Sequence, residues 1–148
     1  MKGYLGNEKA TRETIKDGWL LTGDLGFADA DGQLIITDRI KKLIKYKGMQ
    51  VAPAELESLL VTHPAVADSA VIGAPDERAG ELPRAYVVLK PNLHVSEDEL
   101  QKFIAERVAP YKQLQGGLEF RKEIPKLAAG KVLRRVLNDE LLADKTRG

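Results

Sequence analysis

The run Arg84-Ala85-Tyr86-Val87-Val88-Leu89 constrains the fold of this chain more than any other stretch. Successive side chains of a strand point to opposite faces, so a run without polar alternation needs cover on both sides. It therefore reads as a central strand, with Val66 to Ile72 as a second strand, set off by Gly73-Ala74-Pro75-Asp76. Helical patterns to cover them lie on either side. Pro53 suits the first turn of a helix, where its missing N–H costs nothing. Leu56, Leu59 and Leu60 follow on one face, and His63-Pro64 stops the helix. Ser96 and Glu99 form a capping box, with Val95 and Leu100 as the accompanying staple. Leu100, Phe103, Ile104 and Val108 then line one face, and Pro110 ends it. Leu118-Glu119-Phe120-Arg121 alternates as a strand should. A last helix is expected from about Val132 to Leu142, burying Leu133, Val136, Leu137 and Leu141. Leu43-Ile44 and Gln50-Val51 are short strands around a Lys47-Gly48 turn.

The expected fold class is α+β: a central, mostly antiparallel sheet of about three strands, plus a short two-stranded hairpin, packed by helices. The start of the chain reads differently. Glu8 to Ile15 gives a short helix with too few apolar positions to bury a face. Gly18 to Asp24 reads as turn, strand and turn, and Asp29-Ala30-Asp31-Gly32 is a hairpin signal before Leu34-Ile35-Ile36. Two short strands cannot make a core, so residues 1–38 look like the end of some larger body.

Composition narrows the chemistry. The 148 residues hold 23 basic and 22 acidic side chains, for a net charge of +1. Any basic site must then be local, and nothing draws the whole chain to nucleic acid or an anionic membrane. No cysteine is present, which excludes disulfides, thiol catalysis and a zinc ribbon. With only His63 and His94, a histidine relay or multi-histidine metal site lacks material. No apolar run approaches bilayer length, and the expected location is the cytoplasm, or the peroxisome if a C-terminal signal has been removed.

Three stretches point to chemistry. In Gly18-Trp19-Leu20-Leu21-Thr22-Gly23-Asp24, a carboxylate after a Thr-Gly turn can accept hydrogen bonds from vicinal hydroxyls, or simply close an Asx-type turn. From Ile36 to Glu57 come Asp38-Arg39, then lysines at 41, 42, 45 and 47, then Gly48. These cations suit an anionic ligand or a solvated surface loop equally. Finally, Gly130-Lys131 ends an exposed loop, where glycine admits close approach and the ammonium can neutralise a phosphate or carboxylate oxygen. A lysine in the first turn of a helix would look the same.

Together and in this order they resemble the C-terminal part of the adenylate-forming enzyme superfamily. That superfamily comprises acyl- and aryl-CoA ligases, firefly-type luciferases and the adenylation domains of peptide synthetases. The likeness is greatest to the 4-coumarate:CoA ligase and luciferase branch. It rests on residues 18–24, on Asp38 through Glu57, and on Gly130-Lys131. Supporting it are His63-Pro64 with Val66-Ala67-Asp68, Gly80-Glu81-Leu82-Pro83, and Pro110-Tyr111-Lys112.

The resemblance implies that residues 1–40 end a large N-terminal domain and that residues 41–148 form a mobile C-terminal domain. It implies ATP, Mg2+ and CoA as cofactors and a carboxylic acid as substrate, with the missing N-terminal domain of the same chain as partner. Asp24 would meet the ribose hydroxyls, with Arg39 beside it. Lys41 would be the hinge. Lys131 would bridge carboxylate and α-phosphate in adenylation. Lys45 and Gln50 would serve thioester formation, and Gly48 would lie beside the pantetheine arm.

Two positions depart from the family: Ala129 replaces the usual Ser or Thr, and Leu21 stands where relatives often carry histidine. The Ser/Thr/Gly-rich phosphate loop and the acyl pocket belong to the N-terminal domain, so the isolated chain is expected to form no acyl-adenylate. A luciferase-like oxygenase, a peptide-synthetase adenylation domain and a non-catalytic module keeping this scaffold are the alternative readings.

Overall fold

The computed structural model describes residues 1–147. The chain divides into two compact units, Met1–Lys41 and a second that begins at Lys42.

The first unit has α1 (Glu8–Thr14), then the two-residue strands β1 (Ile15–Lys16) and β2 (Trp19–Leu20). These pair antiparallel about Asp17 and Gly18, with φ of 51° and 82°. Positive φ at both turn residues matches the twist of a tight hairpin. A second hairpin joins β3 (Asp24–Ala28) to β4 (Leu34–Arg39). Its turn is held by the Asp29 carboxylate, which accepts the N–H groups of Asp31 and Gln33 at 3.0 and 2.8 Å. The outgoing arm thus starts at Asp24, because Trp19-Leu20 pairs back onto β1. No residue of this unit is buried. Trp19 and Leu34 are 78% and 72% exposed, so the unit has no core of its own.

The second unit has the core. After a 3-10 turn at Ile40–Lys42, β5 (Ile44–Tyr46) and β6 (Met49–Val51) form the expected hairpin, with φ of 47° at Lys47 and 81° at Gly48. Helix α2 (Pro53–Val61) leads to the long strands β7 (Val66–Asp76) and β8 (Gly80–Leu89), paired antiparallel along their length. Helix α3 (Glu97–Ala105) follows, then β9 (Leu118–Phe120), which runs parallel to β8, and finally α4 (Arg134–Arg147). The sheet order is β6-β5-β8-β7, with β9 also on β8.

Alternation along β7 and β8 builds two cores. Val71, Ala85 and Val87 pack with Leu56, Leu60, Leu100 and Ile104 from α2 and α3. Ala70, Ile72 and Tyr86 face the other way, onto Leu137 and Leu141 of α4. Both faces of β8 are therefore covered, as its apolar run requires. Ser96 caps α3, its Oγ accepting the Glu99 N–H at 3.1 Å.

Several details differ from the sequence reading. Strand β7 runs unbroken through Gly73-Ala74-Pro75 to Asp76, because these residues keep their ladder with β8, which already begins at Gly80. Helix α3 ends at Ala105, well before Pro110, and Leu133 is only half-buried. Helix α4 starts at Arg134, because Val132 is held extended in an antiparallel bridge to Lys126 and cannot take helical dihedrals. Val136 is exposed, because the i,i+4 pair Leu137 and Leu141 defines the buried stripe, which Val136 misses by about 100° of helix rotation.

Candidate functional site

In the first unit, Asp24 opens β3 directly opposite Arg39 on β4. Arg39 Nε lies 3.3 Å from Asp24 Oδ1, and the Asp24 N–H donates to Thr22 Oγ1 at 3.2 Å. The Thr22 hydroxyl, and not the aspartate, thus accepts the bond that closes this turn. Among the described residues the carboxylate makes no further side-chain hydrogen bond or ion pair, so Oδ2 is an open acceptor. Asp24 lines a groove together with Leu20, Leu21, Thr22, Gly23 and Lys41. The exposed Lys41 is the last residue of this unit.

In the second unit, Lys45 sits between the buried Ile44 and Tyr46, so strand alternation turns it outward. Its antiparallel partner is Gln50, likewise exposed, so the two side chains share one face. Gly48 forms the tip of this hairpin. The hairpin meets the main sheet at one residue pair, Tyr46 with Gly80. Two further bonds hold it: Lys47 N–H to the Ala79 carbonyl at 2.8 Å, and Lys45 N–H to Glu81 Oε2 at 2.8 Å. Glu81 needs the space above Gly73, where a Cβ would come within 2.8 Å of its carboxyl carbon.

Lys131 lies in a reversal between β9 and α4. Lys126 and Val132 form an antiparallel bridge, the Leu127 N–H donates to the Lys131 carbonyl at 2.8 Å, and the Gly130 N–H donates to Leu127 at 2.8 Å. Gly130 has φ of 84°, the left-handed conformation that closes such a loop. Lys131 is therefore a loop residue and not part of α4. Ala129, where a hydroxyl would be usual, is exposed beside it.

Lysines fall into two groups by what they touch. Lys112 is held by both oxygens of Glu55 at 2.8 Å, and that hydrogen bond raises its pKa above the ordinary 10.5. Lys126 Nζ lies 2.5 Å from Asp68, and Lys47 stacks over the Tyr46 ring at 5.3 Å. Among the described residues, Lys41, Lys45 and Lys131 make no side-chain ion pair or hydrogen bond, as is also true of exposed lysines such as Lys90 and Lys122. Their charges face solvent. The structure thus brings Lys45, Gln50 and Gly48 together, sets Asp24 against Arg39, and holds Lys131 on a separate loop.

The sequence reading missed the groups that hold these elements in place: Glu81 under the hairpin, and Lys126, Arg134 and Glu57 around the loop. Their partners lie 36 to 77 residues away in the chain, beyond any local pattern. No three His, Asp or Glu side chains gather to hold a metal ion among the described residues.

The chain belongs to the AMP-binding enzyme C-terminal domain family, whose model matches residues 55–131. It is 49% identical to 4-coumarate-CoA ligase 1 of Narcissus pseudonarcissus, over 100% of this chain and 27% of that protein. It is 52% identical to peroxisomal OPC-8:0-CoA ligase 1 of Arabidopsis thaliana, over 93% of this chain and 25% of that protein. Among solved structures, o-succinylbenzoate CoA synthetase of Bacillus subtilis in complex with its acyl-adenylate intermediate aligns with a TM-score of 0.81 and 42% identity. That alignment covers 94% of this chain and 28% of that one. The chain spans about a quarter of the length of the curated relatives it matches. No described helix is long and apolar enough to cross a membrane.

Proposed function

We propose that this chain is the C-terminal part of an ATP-dependent acyl- or aryl-CoA ligase. In the first half-reaction a carboxylate oxygen attacks the α-phosphorus of ATP, forming an acyl-adenylate and releasing pyrophosphate. In the second, a CoA thiol attacks the acyl carbonyl and AMP leaves. Lys131 stabilises the charge that gathers on the phosphoryl group in the first step. Lys45, with Gln50, acts on the adenylate in the second, with the pantetheine arm passing Gly48. Asp24 accepts from the ribose hydroxyls, and Arg39 holds it in place.

One observation carries this reading: two unpaired, exposed lysines are presented on separate elements of one compact unit. The Lys131 loop is fastened near Asp68 at the start of β7, and the Lys45 hairpin joins the sheet opposite its end, near Asp76. Roughly 26 Å of strand separates those two anchor points, which supports separate sites for the two ammonium groups and a rigid-body movement between the half-reactions. Lys41 as the hinge is supported by the division of the chain at that residue.

The fit to ATP rests on the open Oδ2 of Asp24 and the unpaired ammonium of Lys131. Mg2+ would be held by groups elsewhere in the longer protein, since no acidic cluster for it is present among the described residues. Residues 1–40 would be the end of the large N-terminal domain, which agrees with their lack of any buried residue. The cytoplasm is the location proposed, and the peroxisome is the alternative raised by the name of one relative.

The test uses the full-length enzyme with Lys131→Ala and Lys45→Ala made separately. Lys131→Ala should lower acyl-adenylate formation at least 100-fold and spare thioester formation from supplied adenylate; Lys45→Ala should do the reverse. The same loss in both half-reactions for both variants would refute the assignment.

A further inference from the structure

The loop that carries Lys131 is fastened at both ends to neighbouring residues of one strand. On its incoming arm, Lys126 Nζ lies 2.5 Å from Asp68 Oδ2, both side chains being about one-third exposed. The same carboxylate also accepts the Ser69 N–H through Oδ1 at 2.9 Å, which fixes its direction. On the outgoing arm, Arg134 Nη2 donates to Glu57 Oε1 at 2.6 Å, and its Nε donates to the Val71 carbonyl at 3.3 Å. Glu57 Oε1 in turn accepts the Val71 N–H at 2.9 Å. The Arg134 and Glu57 side chains are only 20% and 18% exposed.

Beneath the loop, Ile124 before it and Leu137 after it are buried in one apolar cluster, with Val132 packed against it. Between the two ion pairs, the Lys126–Val132 bridge and the Leu127–Lys131 bond leave the Lys131 backbone little freedom. None of these four charged side chains is needed to close a hairpin of this kind. A glycine at the left-handed position and the cross-bonds suffice.

We propose that Asp68 with Lys126, and Glu57 with Arg134, are positioning residues for Lys131, setting its ammonium for the adenylation half-reaction and not for thioester formation. The inference rests on the role of Lys131 proposed above. A transition-state contact is sensitive to displacements of about 1 Å, which a loop of seven residues would easily make if tethered only at its core ends.

The test is charge exchange across the incoming arm in the full-length enzyme, with each half-reaction measured alone. Asp68→Lys and Lys126→Asp should each lower the rate of adenylate formation about tenfold, and the double exchange should restore most of it. Thioester formation from supplied adenylate should change less than twofold throughout. Asp68→Asn, which keeps an acceptor for the Ser69 N–H, guards against misfolding and should give a smaller loss of the same kind. Hydrogen exchange at the Leu127 and Gly130 amides should quicken in the single variants and recover in the double.

Equal losses in both half-reactions, unchanged adenylation in the singles, or no recovery in the double would each overturn the proposal. A Lys131→Ala control separates the two levels. If it spares adenylation, the reading of Lys131 fails and the positioning role falls with it. If it abolishes adenylation while the exchanges do nothing, the positioning role alone fails.

Discussion

Lys131 and Lys45 are both exposed and both unpaired, yet the backbone under each is held by different forces. The Lys131 loop is tied by one side-chain ion pair to Asp68 of β7 and by another to Glu57 of α2, and stands on Ile124 and Leu137. The Lys45 hairpin relies on strand alternation, with Ile44, Tyr46 and Val51 pinned in the other apolar cluster. It also relies on a two-residue turn and one carboxylate, Glu81, that stands in for a missing ladder partner. A strand fixes which way a side chain points through the pleat itself, whereas a loop has no such periodicity and needs external ties. The difference suggests that a lysine on a loop needs long-range partners, while one on a hairpin inherits its direction from its neighbours.

Leu137→Ala should separate the two regions most strongly. It removes a fully buried side chain from beneath the loop, at a cost of about 2–5 kcal/mol in unfolding free energy. In denaturant titration the midpoint should fall, and amide exchange should rise more at Leu127 than at Met49. An equal rise at both would mean that the two cores act as one.

A smaller effect, about 1–2 kcal/mol, is expected for Gly48→Ala, because φ of 81° there is strained for any residue with a Cβ. Space is not the obstacle, since nothing lies within 4 Å of the added carbon. The hairpin amides should exchange faster while those of the Lys131 loop stay unchanged, and the reverse pattern would contradict the division drawn above.

The smallest effect concerns Asp76, at the turn from β7 to β8. Its carboxylate accepts the N–H groups of Ala79 at 2.8 Å and Arg78 at 2.9 Å, which hold its pKa below the ordinary 3.8. A depressed carboxylate contributes stability that is present above its unfolded pKa and lost as pH falls through the folded value. Stability should therefore decline as pH drops below about 3.8. Asp76→Asn should flatten that part of the acid titration. Since Lys47 bonds the Ala79 carbonyl, the loss should reach the hairpin and leave the Lys131 loop untouched.

Much of this was legible in the residues themselves. The two-faced run of β8 required cover on both sides, and it has that cover. Pro53, the Ser96 cap and the Lys47-Gly48 turn stand where local stereochemistry put them. These features share a cause: each depends on residues at most a few positions apart, through dihedral preference, capping or the period of a strand.

Only the tertiary structure decided the rest. That Lys131 lies on a closed loop and not in α4 follows from the Lys126–Val132 bridge and the bond between Leu127 and Lys131. That Lys126 and Arg134 are structural partners, while Lys131 between them stays free, follows from where β7 places Asp68 and α2 places Glu57. All are ordinary charged side chains in the sequence. Contacts between groups 58 to 77 positions apart have no signature in composition or period, and packing alone brings them together.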